Sequence, residues 1–304
     1  MTDPLTSAEQ TNGEGLAPED FLVNREWLHA HRADSDVRIF DCTTHLHPSV
    51  DDVYRVEAAE ADYLSGHIPD AGFLNLPRDL SADHALRFMT PAAEEFALAA
   101  GAAGVRTTDH VILYSTGHVM WATRVWWLFR TFGHPRVSVL DGGLGMWKAA
   151  GLPVEKTANV YPPAQYRADT IAGRVATAAE VLAAIDDDSV CIVNALSREK
   201  HAGTEAGYGR DGRIPGSNVL PALELTDDDG CFLPPAQLIA GLEGAGVNSC
   251  TKTIAYCGGG IAATVILFAQ ALTGDEAKGQ LYDGSMSEWA NRPDLPMERD
   301  GAEP

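Results

Sequence analysis

Cys257 heads the run Tyr256-Cys257-Gly258-Gly259-Gly260-Ile261-Ala262. A short apolar run ending at Tyr256 precedes it, as a buried strand would, and a long apolar stretch follows, as a helix would. Glycines at such a turn let the backbone curl and point successive N–H groups inward as an anion-binding nest. The helix behind adds the positive end of its dipole. A thiol held there has its thiolate favoured and becomes a nucleophile. The amides of Gly258, Gly259, Gly260, Ile261, Ala262 and Ala263 are the predicted cradle for a charged sulfur. A lone cysteine is most simply a buried structural residue, but three glycines at a strand-to-helix turn argue for chemistry.

Other patterns point elsewhere and are weaker. Asp41, His45 and His47 follow a strand in a D-x-x-x-H-x-H spacing reminiscent of the HxH metal motif of amidohydrolases. That fold would need a single eight-stranded barrel, and the internal repeat described below contradicts it. The histidines are therefore read as loop residues, and no metal is expected. A cysteine phosphatase would need C-x5-R, and the sixth residue after Cys257 is Ala263. Asp186-Asp187-Asp188 and Asp227-Asp228-Asp229 read as acidic turns without a calcium ligand series. Cys250 is read as an inert thiol rather than a redox partner of Cys257. The five cysteines are odd in number and contain no CxxC, which fits free thiols in a reducing cytoplasm.

The elements that must position Cys257 occur twice. Residues 110–133 and 252–274 are each an apolar strand ending in Tyr, a Gly-containing loop and a long apolar helix ending at Gly. Tyr114 and Tyr256, Asp141 and Asp283, and Trp147 and Trp289 are each separated by 142 positions. Further upstream, Pro69 pairs with Pro215 at 146 positions and Asp41 with Asn194 at 153. By the same offset Cys257 corresponds to Ser115, so the first copy lacks a thiol at that place and reads as scaffold. Strands are expected at 39–41, 111–114, 137–140, 190–193, 254–256 and 280–282. Amphipathic helices are expected at 91–101, opened by Pro91, and at 177–186. Alternating strands and helices imply α/β domains with mostly parallel sheets covered on both faces. Trp121, Trp126 and Trp127 read as core or interface packing. The expected organisation is a disordered lead-in at 1–18, a non-catalytic domain at 19–155, a linker at 156–176, a catalytic domain at 177–298 and a tail at 299–304.

Composition narrows the partners. The chain has 304 residues, 43 acids and 22 bases, a formal charge of −21. The two halves carry −11 and −10, so no basic face is concentrated in either, and neither nucleic acid nor an anionic membrane is an expected partner. The longest apolar stretch is interrupted by Arg124 and Arg130 and is too short to span a bilayer. The N-terminus lacks the apolar core of a secretory signal.

The paired copies, the GHIP-type turn, the DGG or DGS-x-x-W segments and a Cys-Gly-rich loop confined to the second copy resemble the two-domain rhodaneses. That family comprises thiosulfate and 3-mercaptopyruvate sulfurtransferases. The likeness covers residues 20–298 and is most specific at 124–154 and 282–289, where Met286 stands in place of the family's usual Trp. It implies an α/β chain of two tandem rhodanese-like domains, each a mostly parallel sheet flanked by helices. It implies that Cys257 takes a sulfane sulfur from a small anionic donor and holds it as a persulfide. Cyanide, a thiol or a protein acceptor then removes it, and no cofactor is implied. Gly258 in place of a basic residue makes the loop more similar to the mercaptopyruvate type, although Gly259 and Ala262 lack that type's hydroxyls. The family's donor-gripping arginine is Leu196 here, a second falls on about Ala202, and the histidine before the second IP turn is Arg213. Arg198, Lys200, Arg210 and Arg213 crowd the same segment and are the candidate anion contacts; the plain alternative is a solvated basic loop. The competing function is a catalytically weak or inactive sulfur-relay or binding protein that keeps the fold.

Overall fold

The computed structural model describes residues 17–49 and 53–301. The expected lead-in lies outside the described residues up to 16, and the tail from 302 onward. The architecture is two five-stranded parallel sheets with one shared strand order. Across the first run Leu22–Val23, Val137–Leu140, His110–Tyr114, Val37–Asp41 and Gly72–Phe73. Across the second run Val175–Ala176, Gly279–Tyr282, Lys252–Tyr256, Val190–Asn194 and Asn218–Val219. The central strands are apolar along nearly their whole length, as strands buried on both faces must be. The sequence reading left Val175 and Ala176 in the linker; they pair instead with Leu281 and Tyr282 as the edge of the second sheet.

The rest of the linker is strapped to the first domain. Tyr161 donates to the Asp70 carbonyl (2.7 Å) and accepts from Ile39 N (3.1 Å), and Ala164 N donates to the Gly101 carbonyl (2.8 Å). A Cβ at Gly101 would stand 2.6 Å from the Ala164 carbonyl oxygen, so the close approach requires glycine there. The tail is likewise attached, since Asp300 N donates to the Ala202 carbonyl at 2.9 Å.

Two helices form the seam between the domains. Met120–Thr131 and Ala263–Leu272 are buried almost all round, which suits helices with protein on every side. Trp126 meets Phe268 edge to face at 4.8 Å, and the Thr123 and Thr264 hydroxyls share a hydrogen bond at 2.9 Å. At the rim of the seam Arg130 grips Glu276 through two bonds of 2.9 Å, and Arg174 reaches the same carboxylate. Thr177 and Glu180 form a capping box, so the helix expected from Thr177 runs Ala178–Ala184. Pro91 does not open its helix. The helix is Ala93–Ala102, because Thr90 just upstream is tied to the other domain through Asp283 (N–Oδ2 2.5 Å, Oγ1–Oδ2 2.7 Å). No described helix is long and apolar enough to cross a membrane.

Candidate functional site

The strand Lys252–Tyr256 delivers Cys257 to the floor of a cleft of about 580 Å³ between the domains. The strand end is pinned because the buried Tyr256 hydroxyl accepts from Ile214 N (3.2 Å) and bonds Ser217 (2.8 Å). The thiol is nearly enclosed, with 2% of Cys257 exposed. The helix begins at Ala263, so residues 257–262 form the loop.

Three contacts set the loop's shape. Ser285 Oγ accepts from both Cys257 N (3.1 Å) and Gly260 N (3.2 Å), bracing the curl from inside. Ser285 itself has φ +48, a left-handed conformation uncommon for a residue with a side chain. Gly260 has φ +75, and a Cβ there would meet Asp283 Oδ1 at 2.7 Å, so only glycine fits. From the first domain, fully buried Arg124 donates to the Gly260 carbonyl (3.2 Å), to Asp283 Oδ1 (2.7 Å) and to the Phe88 carbonyl. The N–H groups of Gly258, Gly259, Ile261, Ala262 and Ala263 make no hydrogen bond to protein among the described residues. Five amides of the loop and helix start thus remain available, while Cys257 N and Gly260 N are committed to Ser285.

The sequence-predicted residues divide. Cys257, Gly258, Gly259, Ile261 and Ala262 line the cleft; Gly260 and buried Ala263 stand behind it. Of the four candidate anion contacts, Arg198 and Lys200 line the cleft. Arg198 is held by Glu224 in a two-point bridge (2.9 and 2.6 Å), and Lys200 lies 3.4 Å from Glu205. Arg210 and Arg213 do not line it. Arg210 donates to the carbonyls of Trp289, Ala290, Arg292 and Leu295, tying down the chain after the last helix. Arg213 bridges Glu298 at the end of the second domain and Asp300 (2.7 Å) in the tail. The cleft's charges therefore alternate, with Glu199, Glu205 and Glu224 beside Arg198 and Lys200. His118, at the first-domain wall, has its pKa lowered by burial, which keeps the ring neutral near neutral pH.

His45 and His47 sit on a small antiparallel hairpin, paired with Asp62 (2.7 Å) and Glu57 (3.2 Å). Cys250 lies with Cys191 in a separate small pocket at the opposite end of the strands from Cys257. Burial pushes the Cys191 thiol up to about 11.

Sequence reasoning missed Tyr208, Tyr54, Ser285, Arg124 and Asp283. Tyr208 packs directly on the loop, and its ring meets that of Tyr54 from the first domain edge to face at 6.5 Å. Ser285 and Asp283 lie in the repeated DG segment, which marked the repeat without disclosing a role. The one available signal for Arg124 was a charge in the middle of a mostly apolar helix, at a position that is Ile266 in the second copy.

Comparison with known proteins is consistent with this arrangement. A rhodanese-like domain model matches residues 24–150. The 3-mercaptopyruvate sulfurtransferase of Escherichia coli K12 is 35% identical over 283 residues, covering 91% of this chain and 98% of that protein. The mitochondrial thiosulfate/3-mercaptopyruvate sulfurtransferase 1 of Arabidopsis thaliana is 31% identical, covering 91% of this chain and 78% of that protein. Among solved structures, the 3-mercaptopyruvate sulfotransferase SseA from Escherichia coli superposes with a TM-score of 0.78 at 33% identity, over 88% of this chain and 99% of that one.

Proposed function

The chain belongs to the rhodanese-like sulfurtransferases, and on that premise we propose that it carries a sulfane sulfur as a persulfide on Cys257. The Cys257 thiolate attacks the outer sulfur of a small donor. With 3-mercaptopyruvate, the new S–S bond forms as the donor's C–S bond breaks. The electron pair leaves as the pyruvate enolate, and the donor's thiol proton ends on the enolate carbon. With thiosulfate, the S–S bond of the donor breaks and sulfite leaves. In both cases the outer persulfide sulfur keeps a negative charge, and a thiol, cyanide or protein acceptor removes it in the second half-reaction.

The observation that carries this reading is the loop itself: a nearly enclosed cysteine followed by a glycine-rich turn in which five backbone amides have no protein partner among the described residues. Such donors suit a sulfur whose charge persists. Arg198 and Lys200 are the proposed contacts for the donor's anionic end, since they are the predicted cations that line the cleft. Both already face carboxylates, and a cleft with three carboxylates to two cations favours the monoanion 3-mercaptopyruvate over the dianion thiosulfate. Five free cysteines support a reducing compartment, the cytoplasm, as its place of work.

The test is to incubate the protein separately with 3-mercaptopyruvate and thiosulfate and weigh the Cys257 peptide. A gain of one sulfur, about 32 Da, is expected, faster with 3-mercaptopyruvate and absent in Cys257→Ser. Retained turnover in a folded Cys257→Ser variant removes the mechanism.

A further inference from the structure

We propose that the Tyr208 hydroxyl is a catalytic hydrogen-bond donor of this site, directed at the outer sulfur of the Cys257 persulfide. The inference rests on the persulfide reading above. It begins with an absence inside the loop: the side chains from Gly258 to Ala263 are Gly, Gly, Gly, Ile, Ala and Ala, and none carries a donor. Tyr208 supplies one from a separate segment. A Cβ built on Gly258 would stand 2.0 Å from Tyr208 Cζ and 2.1 Å from its hydroxyl oxygen. The phenol thus fills the space where a side chain next to the nucleophile would begin. This also accounts for Gly258 where the thiosulfate-type loop has a basic residue: side chain and phenol exclude each other.

The hydroxyl is placed and unengaged. Six of the other seven tyrosines, namely Tyr63, Tyr114, Tyr161, Tyr166, Tyr256 and Tyr282, have a hydroxyl hydrogen-bonded to protein. Tyr208 has no hydroxyl partner among the described residues, although it lines the same cleft as Cys257. Its ring is fixed by the Lys200 ammonium at 5.6 Å and by Tyr54, and its carbonyl accepts from Asn291 (2.7 Å). Burial, with the Cys257 thiol second, pushes the phenol pKa well above its ordinary value, so the group keeps its proton and remains a donor. In the step written above, Tyr208 contributes a hydrogen bond to the sulfur that retains the charge. It neither gains nor loses a proton, and no further reactant is needed.

Tyr208→Phe removes one oxygen and leaves the ring on Gly258. Single-turnover persulfide formation on Cys257, followed by mass, should slow by about ten- to a hundredfold, as expected for a donor to a charged group. The factor should be similar with 3-mercaptopyruvate and thiosulfate, because both leave the same outer sulfur. KM and the urea midpoint should stay near wild type. A rate within about twofold of wild type, or a loss confined to KM, overturns the proposal. A fluorinated tyrosine at position 208 provides a second arm that preserves packing: its more acidic phenol donates more strongly, so single-turnover persulfide formation at neutral pH should depart from the wild-type rate while KM does not. A rate unchanged by fluorination overturns the proposal even if Tyr208→Phe fails to fold. Wild-type protein that never carries sulfur on Cys257 overturns both readings; sulfur on Cys257 at an unchanged rate in Tyr208→Phe overturns this one alone.

Discussion

The loop at Ser115–Thr116 and the loop at Cys257–Gly258 occupy equivalent places in equivalent sheets, yet the second amide of the pair is bonded in one and available in the other. In the first copy Thr116 N donates to Thr43 Oγ1 (2.8 Å), and Thr43 is oriented by Asp41 through its N–H (2.9 Å) and hydroxyl (2.5 Å). The Ser115 hydroxyl turns back to the His118 carbonyl (3.0 Å). In the second copy Asn194 still accepts from the backbone two residues on, at Leu196 N (3.0 Å), but Leu196 has no hydroxyl to offer Gly258 N. The equivalent amide is therefore left available. The other difference is one residue deep. Gly143 lies so close to Ser115 that a Cβ there would sit 2.2 Å from the Ser115 carbonyl oxygen; its counterpart Ser285 instead reaches between Cys257 N and Gly260 N. The two halves thus differ at the amide that follows the strand-end residue and at the hydroxyl that braces the curl, as well as at the cysteine.

The comparison breaks most severely at the contact where the first copy supports the second. The two DG aspartates are used reciprocally: Asp283 accepts from Thr90 N, and Asp141 accepts from Phe232 N (2.9 Å). Arg124 is added on one side only, and its position in the second copy is Ile266. Arg124→Leu leaves the Asp283 carboxylate buried without its cation, a change that typically destabilises by about 3–5 kcal/mol. Urea unfolding of this variant should show a large fall in midpoint, with activity lost alongside as Gly260 is released. An unchanged midpoint would mean that Asp283 is sufficiently satisfied by Thr90, and that the first domain does not brace the loop.

Ser285 separates activity from stability. Ser285→Gly removes the acceptor shared by two loop amides, and activity should fall about tenfold, near 1.4 kcal/mol. The same change relieves a left-handed non-glycine residue, so stability should move by less than about 1 kcal/mol. Steady-state kinetics paired with thermal melts test this. Parallel losses in both would show Ser285 to be a folding residue rather than the brace of the loop.

The legible part of this molecule is the part with a period. The six central strands read from the sequence lie where apolar runs meet Tyr, Asp or Asn, and the offset of 142 placed the cysteine loop between its strand and helix. Tyr208 was invisible because it lies between Gly203 and Gly212 in a segment without regular structure, where no spacing signals direction. Arg210 and Arg213 were misplaced for a related reason. Their density in sequence is real, but carbonyls after Trp289 and acids in the tail, remote in sequence, decide where guanidinium groups go. Arg198 and Lys200 escaped that fate because they sit on the short helix Arg198–Ala202 at the cleft edge.

The seam's rim predicts a pH dependence. Burial alone would raise the Glu276 pKa, but bonds to Arg130 and the charges of Arg130 and Arg174 outweigh it and hold it below the ordinary glutamate value. A carboxylate depressed in the folded state contributes stability above its unfolded pKa of about 4.3 and loses it as pH falls through the lower folded value. Glu276→Gln should lower the urea midpoint at neutral pH by an amount equivalent to about 1–3 kcal/mol, with the difference shrinking as pH falls below about 4. A difference that persists undiminished in acid would assign the effect to packing instead.

The smallest expected effect is the sharpest statement about the first copy. Ser115→Ala loses a local bond to the His118 carbonyl, so sulfur transfer should stay within about twofold of wild type, under about 0.5 kcal/mol. A loss beyond about tenfold would show that the first loop takes part in the reaction. The stronger arm is Ser115→Cys, which restores the missing thiol while Cys257 remains in place. If a cysteine were all that the first copy lacks, this variant would carry a second sulfur. The Thr116 amide, however, is already bonded to Thr43, and Gly143 offers no hydroxyl to brace the curl. The thiol would enter a loop whose following amide is already taken by Thr43 and whose curl lacks the Ser285 brace, so it should hold a charged sulfur poorly. Mass measurement after donor treatment should therefore find sulfur on the Cys257 peptide alone, and sulfur on the residue-115 peptide would show that neither the bonded Thr116 amide nor the missing brace keeps sulfur off the first loop.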